Sequence, residues 1–173
     1  MIAVDTNVLV YADRRDSPLH AAAVRALRSL AEGAAAWALP VFCVGEYLRV
    51  VSHRRVFENP TPVAEALESM DSLLESPSVR LLSPGPAFIS ILRESIDVSG
   101  ASGNLVFDAL IVAVCLEHGA RTLLTEDRDF ARFPAIETRS IRDFKPSVGM
   151  NRAACCGNDD ASVVRVRARS SVG

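Results

Sequence analysis

The stretch IAVDTN at residues 2–7 begins with a short apolar run that ends at Asp5. Such a run predicts a strand buried on both faces, because the central strands of a parallel sheet carry apolar side chains without polar alternation. Asp5, followed by Thr6 and Asn7, then lies at the carboxyl end of the strand. In open parallel sheets, ligands bind beyond that end. The chain therefore opens with a strand that directs a carboxylate to a functional edge.

Apolar runs and helical periodicities alternate along the rest of the chain. After Ser17-Pro18, apolar residues at helical spacing predict a helix that ends at Gly33. Further strands are predicted at 34–39, 79–82, 122–125 and 136–139, and further helices at 40–52, 63–74, 86–96 and 104–119. Strands that alternate with helices of about 10–15 residues indicate an α/β fold with a central parallel sheet, here of four to five strands.

Length and composition favour one globular domain. The chain has 173 residues, of which 49% are hydrophobic, enough for a single core. No apolar run reaches the ~18 residues that a membrane span needs, and the N-terminus lacks the pattern of a signal peptide, so we expect a cytoplasmic protein. The alternation stops near residue 146. We predict a domain over 1–145 and a disordered tail over 146–173, although VVRVRAR within that tail alternates like an edge strand.

Charge and cysteine content narrow the function classes. Residues 1–144 hold 19 acidic and 14 basic residues, a net charge of −5. This argues against sequence-independent phosphate binding by bulk charge, but metal ions invert the local field at a carboxylate site. Cys43 and Cys115 lie in apolar helical patterns and are expected to be buried free thiols. Cys155 and Cys156 have no further ligands at zinc-site spacing.

Four acidic residues occupy informative positions: Asp5, Glu46, Asp108 and Asp127. Glu46 and Asp108 interrupt strongly apolar helical segments, where an isolated carboxylate is costly unless something compensates it. Asp127 follows a strand and reaches the same sheet edge as Asp5. Asn104 precedes Asp108 by one helical turn and projects from the same face. We expect the four carboxylates to converge at this edge.

Converging carboxylates favour metal-dependent chemistry. They repel one another, and a hard divalent cation such as Mg²⁺ or Mn²⁺ relieves that repulsion through oxygen ligands. Such a cation acidifies water for attack on a phosphodiester and stabilises the developing charge. Histidine is not required for this reaction, and His20, His53 and His118 fall near predicted helix ends, which are ordinary structural positions.

At these residues the sequence resembles the PIN-domain family, in particular the VapC-type toxins, over about residues 1–144. The stretch VDTNVL at 4–9 resembles the family's opening motif, which makes Asp5 the first metal carboxylate and Thr6 a supporting hydroxyl. Glu46 matches the second acid in its helix. Asn104 together with DALI at 108–111 is similar to the helix of the third acid, Asp108.

The stretch TEDRDF at 125–130 resembles the fourth motif of the family. Asp127 best fits the fourth acid, and Asp129 is expected to assist it. The resemblance therefore assigns Asp5, Glu46, Asp108 and Asp127 as catalytic and metal-binding residues. The supporting residues are Thr6, Asn7, Asn104, Thr125 and Asp129.

The resemblance implies a three-layer α/β/α PIN fold and an endoribonuclease that depends on Mg²⁺ or Mn²⁺. It also implies the toxin role in a bacterial type II toxin–antitoxin pair, an RNA substrate, a homodimer and a VapB-like antitoxin. Four arginines near the motifs are predicted to hold RNA phosphates, although solvated surface positions explain each of them equally well. They are Arg14, Arg15, Arg49 and Arg128.

Two other functions remain open. One is a catalytically weak PIN-like module that binds RNA or regulates it, but such modules usually lack one or more of the acids. The other is an Asp-based phosphotransferase or phosphatase of the haloacid-dehalogenase type. Those phosphatases need a second Asp where this chain has Asn7, and a lysine near the phosphate where the only candidate is Lys145. Nucleotide-binding motifs of the GxGxxG or GxxxxGK[ST] type do not occur.

Overall fold

The computed structural model describes residues 1–144, and the predicted tail over 146–173, with Cys155 and Cys156, lies outside them. Strands and helices alternate as expected. The strands are β1 (Ile2–Val4), β2 (Trp37–Pro40), β3 (Val79–Leu82), β4 (Thr122–Leu124) and β5 (Glu137–Arg139). The helices are α1 (Thr6–Asp13), α2 (His20–Glu32), α3 (Val41–Val51), α4 (Val63–Leu74), α5 (Phe88–Ser99) and α6 (Leu105–Glu117), with a 3₁₀ turn at Asp129–Arg132.

All five strands are parallel and lie in the order β3-β2-β1-β4-β5. The chain moves outward from β1 through β2 to β3, then returns to the other side of β1 at β4. Because crossovers between parallel strands are right-handed, α1–α4 and α5–α6 cover opposite faces, which confirms the three-layer fold. The reversal between β1 and β4 is the switch point where open α/β sheets bind ligands.

The main departure from the predicted elements is α1, which sequence periodicity did not reveal. Its sequence, TNVLVYAD, contains an apolar run that suits a strand as well as a helix. Asp5 resolves this ambiguity, because its side chain caps the helix by accepting a bond from the Thr6 amide. Elsewhere α4 and β3 have the predicted bounds, and β2 begins at Trp37, three residues later than predicted.

The core lies between the sheet and the two helical layers. Apolar side chains of the three central strands, Val4, Leu39 and Leu124 among them, are inaccessible to solvent. The C-terminal half of α6 is buried on nearly every side, and both helical cysteines, Cys43 and Cys115, are buried free thiols as predicted. Within residues 1–144, no helix combines the length and the apolar character of a membrane span.

A hydrogen-bonded clamp fixes α1 relative to α3 and to the loop that follows it. The carboxylate of Asp13, at the end of α1, accepts bonds from the Tyr47 hydroxyl at 3.1 Å and from the Thr61 hydroxyl at 2.7 Å. Tyr47 belongs to α3 and is almost completely buried. The clamp therefore sets the distance between the two helices that carry Thr6 and Glu46.

We predict that Leu124→Ala destabilises the protein by about 2–5 kcal/mol, because it leaves a cavity at the end of β4 in a core that cannot fully collapse. Chemical denaturation measures the change in unfolding free energy. Leu81→Ala on edge strand β3, where the side chain is 47% exposed, is the matched control and should cost less than about 0.5 kcal/mol. Equal losses at both positions would contradict this packing.

Candidate active site

Asp5 is the most buried carboxylate of the site, with 4% of its surface exposed. Its Oδ1 accepts a bond from the Thr6 amide at 2.7 Å. Its Oδ2 accepts bonds from the Asn7 side-chain amide and from the Thr125 hydroxyl, both at 2.6 Å. Three donors thus offset much of the cost of removing this carboxylate from water.

Thr125 connects the two strands at the switch point. It follows β4, and besides donating to Asp5 its hydroxyl oxygen accepts bonds from the Asn7 amide and the Asp127 backbone amide, both at 2.9 Å. The Glu126 amide in turn donates to Oδ1 of Asn7 at 3.4 Å. The segment after β4 is therefore held against the start of α1.

Glu46 reaches the same edge from the middle of α3. The Thr6 hydroxyl donates to its Oε2 at 2.9 Å, and Arg49 pairs with its Oε1 at 3.3 Å. About a third of the Glu46 side chain is exposed. A Cβ added at neighbouring Gly45 would meet no atom within 4 Å, so the surface of α3 at residue 45 is open.

Asp108 lies in the first turn of α6 and is partly buried. Burial, reinforced by the negative charges of Asp127, Asp129 and Glu46, raises the pKa of Asp108 to about 6. Carboxylates from two further segments of the chain, α3 and the segment that follows β4, therefore act electrostatically on this one.

The pKa of Asp5 is also raised, to about 7. Burial is the main cause, and the charges of Asp108 and Glu46 add to it, whereas the bonds from Thr125 and Thr6 oppose it. Asp5 and Asp108 are thus electrostatically coupled although they come from distant parts of the sequence. The edge of the sheet concentrates negative charge that favours either protons or a cation.

The donor set fits a hard divalent cation, since carboxylate oxygens are the ligands that Mg²⁺ and Mn²⁺ prefer. Within residues 1–144, however, no three side chains of Asp, Glu, His or Cys type are gathered at metal-ligand spacing. Like charges repel at short range, which is consistent with this wider spacing. Ligation of one cation by Asp5, Glu46, Asp108 and Asp127 therefore stays a prediction.

The two remaining supporting residues predicted from the sequence, Asn104 and Asp129, are both exposed. Asn104 is the cap residue of α6, and its exposed side chain makes no capping bond. Asp129 is exposed, and its amide donates to Oδ1 of Asp127 at 2.9 Å, which orients that carboxylate. Neither residue contacts Asp5 directly through a hydrogen bond within the described part of the chain.

The four arginines predicted to bind RNA have different surroundings. Arg15 and Arg128 are exposed, and Arg49 is exposed beside Glu46. Arg14 instead stacks over the Phe57 ring at 4.2 Å and donates to the Asn59 carbonyl at 2.7 Å, besides pairing with Asp16. These intramolecular partners engage Arg14 in holding the loop after α3.

Sequence reasoning missed three residues beside the carboxylates: Tyr11, Glu126 and Arg142. Glu126 accepts bonds from the Ser140 hydroxyl at 2.6 Å and the Ile141 amide at 2.8 Å, and its second oxygen pairs with Arg142 at 3.5 Å. If α1 had been predicted as a helix, the spacing of four residues would have placed Tyr11 on the same helix face as Asn7. No sequence signal ties Arg142 to the site.

Comparison with known proteins agrees with this fold. The profile of the family described as PIN domain matches residues 2–136. The chain belongs to the PIN-domain family. It is similar to Ribonuclease VapC43 of Mycobacterium tuberculosis, with 39% identity over 143 residues, which cover 83% of this chain and 97% of that protein.

Two solved structures share the fold. One is VapBC2 from Rickettsia felis bound to a promoter DNA fragment, with a TM-score of 0.59, 21% identity, and coverage of 81% of this chain and 98% of that chain. The other is VapC20 of Mycobacterium tuberculosis, described as a Sarcin-Ricin loop cleaving toxin, with a TM-score of 0.56, 18% identity, and coverage of 76% and 93%. At these identities the likeness concerns the fold alone.

We predict that the metal-free protein becomes less stable as the pH rises from about 4 to 7. The folded pKa values of Asp5 and Asp108, about 7 and about 6, exceed ordinary carboxyl values, so the folded state binds more protons in this window. Raising the pH removes that stabilisation. Thermal unfolding in EDTA measures it, and Asp108→Asn should flatten the pH dependence. An unchanged slope in that variant would contradict the coupling.

We predict that Thr125→Val destabilises the protein by about 1–3 kcal/mol, because the isosteric side chain removes one of the three donors to Asp5 and leaves the Asp127 amide without its side-chain acceptor. Thr125→Ser should retain most of the stability. Thr138→Val, an exposed position on β5, is the control and should change stability by less than about 0.5 kcal/mol. Denaturant titration distinguishes these cases, and a neutral Thr125→Val would refute the network.

Proposed function

We propose that this chain is a metal-dependent endoribonuclease and the toxin of a bacterial type II toxin–antitoxin pair. One observation carries the proposal: hydrogen bonds through Thr6 and Thr125 bring Glu46 and the Asp127 backbone to Asp5 at the switch point of the sheet. The negative charges of Glu46 and Asp127 also act on Asp108. A relative covering most of the chain is described as a ribonuclease, and a structural neighbour as a Sarcin-Ricin loop cleaving toxin.

The proposed cofactor is Mg²⁺ or Mn²⁺, held by the carboxylates of Asp5, Glu46, Asp108 and Asp127. When bound, such a cation supplies Lewis-acid activation of water and stabilisation of charge on the phosphodiester. The protein's own contribution is orientation. Thr125, Asn7 and the Thr6 amide hold the Asp5 carboxylate from one side, and the Thr6 hydroxyl holds Glu46.

RNA reaches this edge against the repulsion of the acidic side chains, so exposed cations near the carboxylates are needed to hold its phosphates. Arg15, Arg49 and Arg128 remain candidates because their side chains are exposed. Arg14 contributes indirectly in this scheme, through the loop that it fixes. We further propose a homodimer and a VapB-like antitoxin as protein partners, as the family resemblance implies.

The two alternatives are less consistent with the site. A phosphatase of the haloacid-dehalogenase type would use an acid at position 7, whereas the Asn7 amide donates bonds to both Asp5 and Thr125. A binding module without catalysis would not need several mutually repelling carboxylates at the switch point. Their costly proximity favours a site that works with a cation.

We predict that Asp108→Asn lowers kcat/KM for RNA cleavage by at least about 100-fold, because it removes a ligand of the proposed cation. The measurement maps and quantifies cuts in total cellular RNA with Mg²⁺, with Mn²⁺ and with EDTA. Asp97→Asn, an exposed acid on α5, should retain wild-type activity. The added cation should raise the Tm of the wild type more than that of Asp108→Asn.

Cleavage by Asp108→Asn at the wild-type rate, or cleavage that persists in EDTA, would contradict the proposed mechanism. Expression in a bacterial host provides an independent measurement: the wild type should arrest growth without an antitoxin, and Asp5→Ala should not. Growth arrest by the Asp5→Ala variant would also contradict the proposed mechanism.

A further inference from the structure

An aromatic ring and a cation lie near the segment that follows β4, and the proposed cleavage chemistry uses neither. Tyr11 follows Asn7 by four residues on α1, so the two side chains project from one face of the helix. Asn7 accepts a bond from the Glu126 amide at 3.4 Å. Tyr11 is therefore directed to the segment that follows β4.

Arg142 approaches the same place from beyond β5. Its Nε pairs with Oε2 of Glu126 at 3.5 Å, while Oε1 of Glu126 accepts bonds from Ser140 and Ile141. The Arg142 side chain is 65% exposed, and within residues 1–144 no bond engages its terminal nitrogens. One edge of the guanidinium is thus held, while the other faces solvent.

Both side chains are connected to Glu126: Arg142 pairs with its carboxylate, and Asn7, one helical turn before Tyr11, accepts a bond from its amide. The pKa of Tyr11 is raised, mainly by burial and then by the charges of Glu126, Asp127 and Asp5, and Arg142 opposes that rise. The phenol therefore stays protonated at neutral pH. The Tyr11 ring is only partly covered by the core, which leaves part of its surface available.

We propose that Tyr11 and Arg142 form a subsite for the nucleotide next to the scissile phosphate. This inference rests on the proposed ribonuclease function. The Tyr11 ring stacks on the unpaired base, as aromatic side chains do in proteins that bind single-stranded RNA. The free edge of the Arg142 guanidinium binds the adjacent phosphate, a contact that suits its planar donors.

A purely structural role does not explain this arrangement. An exposed ion pair such as Arg142–Glu126 contributes little to stability. A cation at this position instead offsets the repulsion that Glu126, Asp127 and Asp5 exert on a polyanion. The ring then supplies affinity that does not depend on charge, because every base has a face that stacks.

The test uses short single-stranded RNA oligonucleotides that contain a mapped cleavage site, together with copies in which each flanking position in turn is abasic. For the wild type, one abasic position should lower kcat/KM roughly tenfold, the scale of one lost stack. Tyr11→Leu should lower kcat/KM by a similar factor on the intact RNA and lose sensitivity to that abasic position. Tyr11→Phe keeps the ring and should behave as the wild type.

For Arg142→Gln, we expect a raised KM with nearly unchanged kcat, and a salt dependence of kcat/KM reduced by about one unit of slope. Arg80→Gln is the control. Arg80 is exposed and lies on β3, at the edge of the sheet farthest from β5, so its substitution should change neither quantity. Thermal unfolding of every variant verifies that the fold is intact.

Two outcomes would overturn the subsite but not the proposed function. In one, kcat/KM of Tyr11→Leu is as sensitive to the abasic positions as that of the wild type. In the other, Arg142→Gln leaves the salt dependence of kcat/KM unchanged. Failure of the proposed function is distinct, because then the wild type cleaves none of the oligonucleotides or total RNA with Mg²⁺ or Mn²⁺. In that case the proposed subsite is refuted together with the proposed function.

Discussion

The Thr125 hydroxyl donates a 2.6 Å hydrogen bond to Oδ2 of Asp5, across 120 residues of sequence. This contact joins the carboxyl ends of β1 and β4, where the strand order reverses and two neighbouring strands leave a crevice. A carboxylate that is almost fully buried would be costly without such donors. Asn7 and the Thr6 amide complete the set, so the start of α1 and the end of β4 hold each other in place.

The rest of the site depends on that junction. Once Asp5 is fixed, α3 supplies Glu46 through its contact with Thr6, and α6 supplies Asp108 near the segment that follows β4. The resulting concentration of negative charge raises the pKa of both Asp5 and Asp108. Packing energy from the core sustains this repulsion, because each acid belongs to an element with its own buried face. This strain is the physical basis for the proposed cation-dependent activity.

Two exposed arginines partly neutralise this acidic edge in the same way, each by pairing with one acid. Arg49 pairs with Glu46 and Arg142 pairs with Glu126, and both arginines keep most of their surface in solvent. An acid thus positions each guanidinium without consuming all of its donors. Residues 1–144 carry a net negative charge, so the proposed binding of RNA phosphates depends on where these few cations are placed. Arg14 shows the contrast, since a ring and a carbonyl engage it inside the protein.

The sequence by itself determined the alternation of strands and helices, the parallel sheet and the acids at the ends of β1 and β4. These features follow from apolar periodicity and from strand ends, which are local properties. Only the tertiary structure decided that residues 6–13 form a helix, that Arg14 is engaged internally, and that Tyr11 and Arg142 flank the carboxylates. The reason is that a cap, a stacked ring or a raised pKa depends on groups far away in the sequence, whose distances are set by core packing.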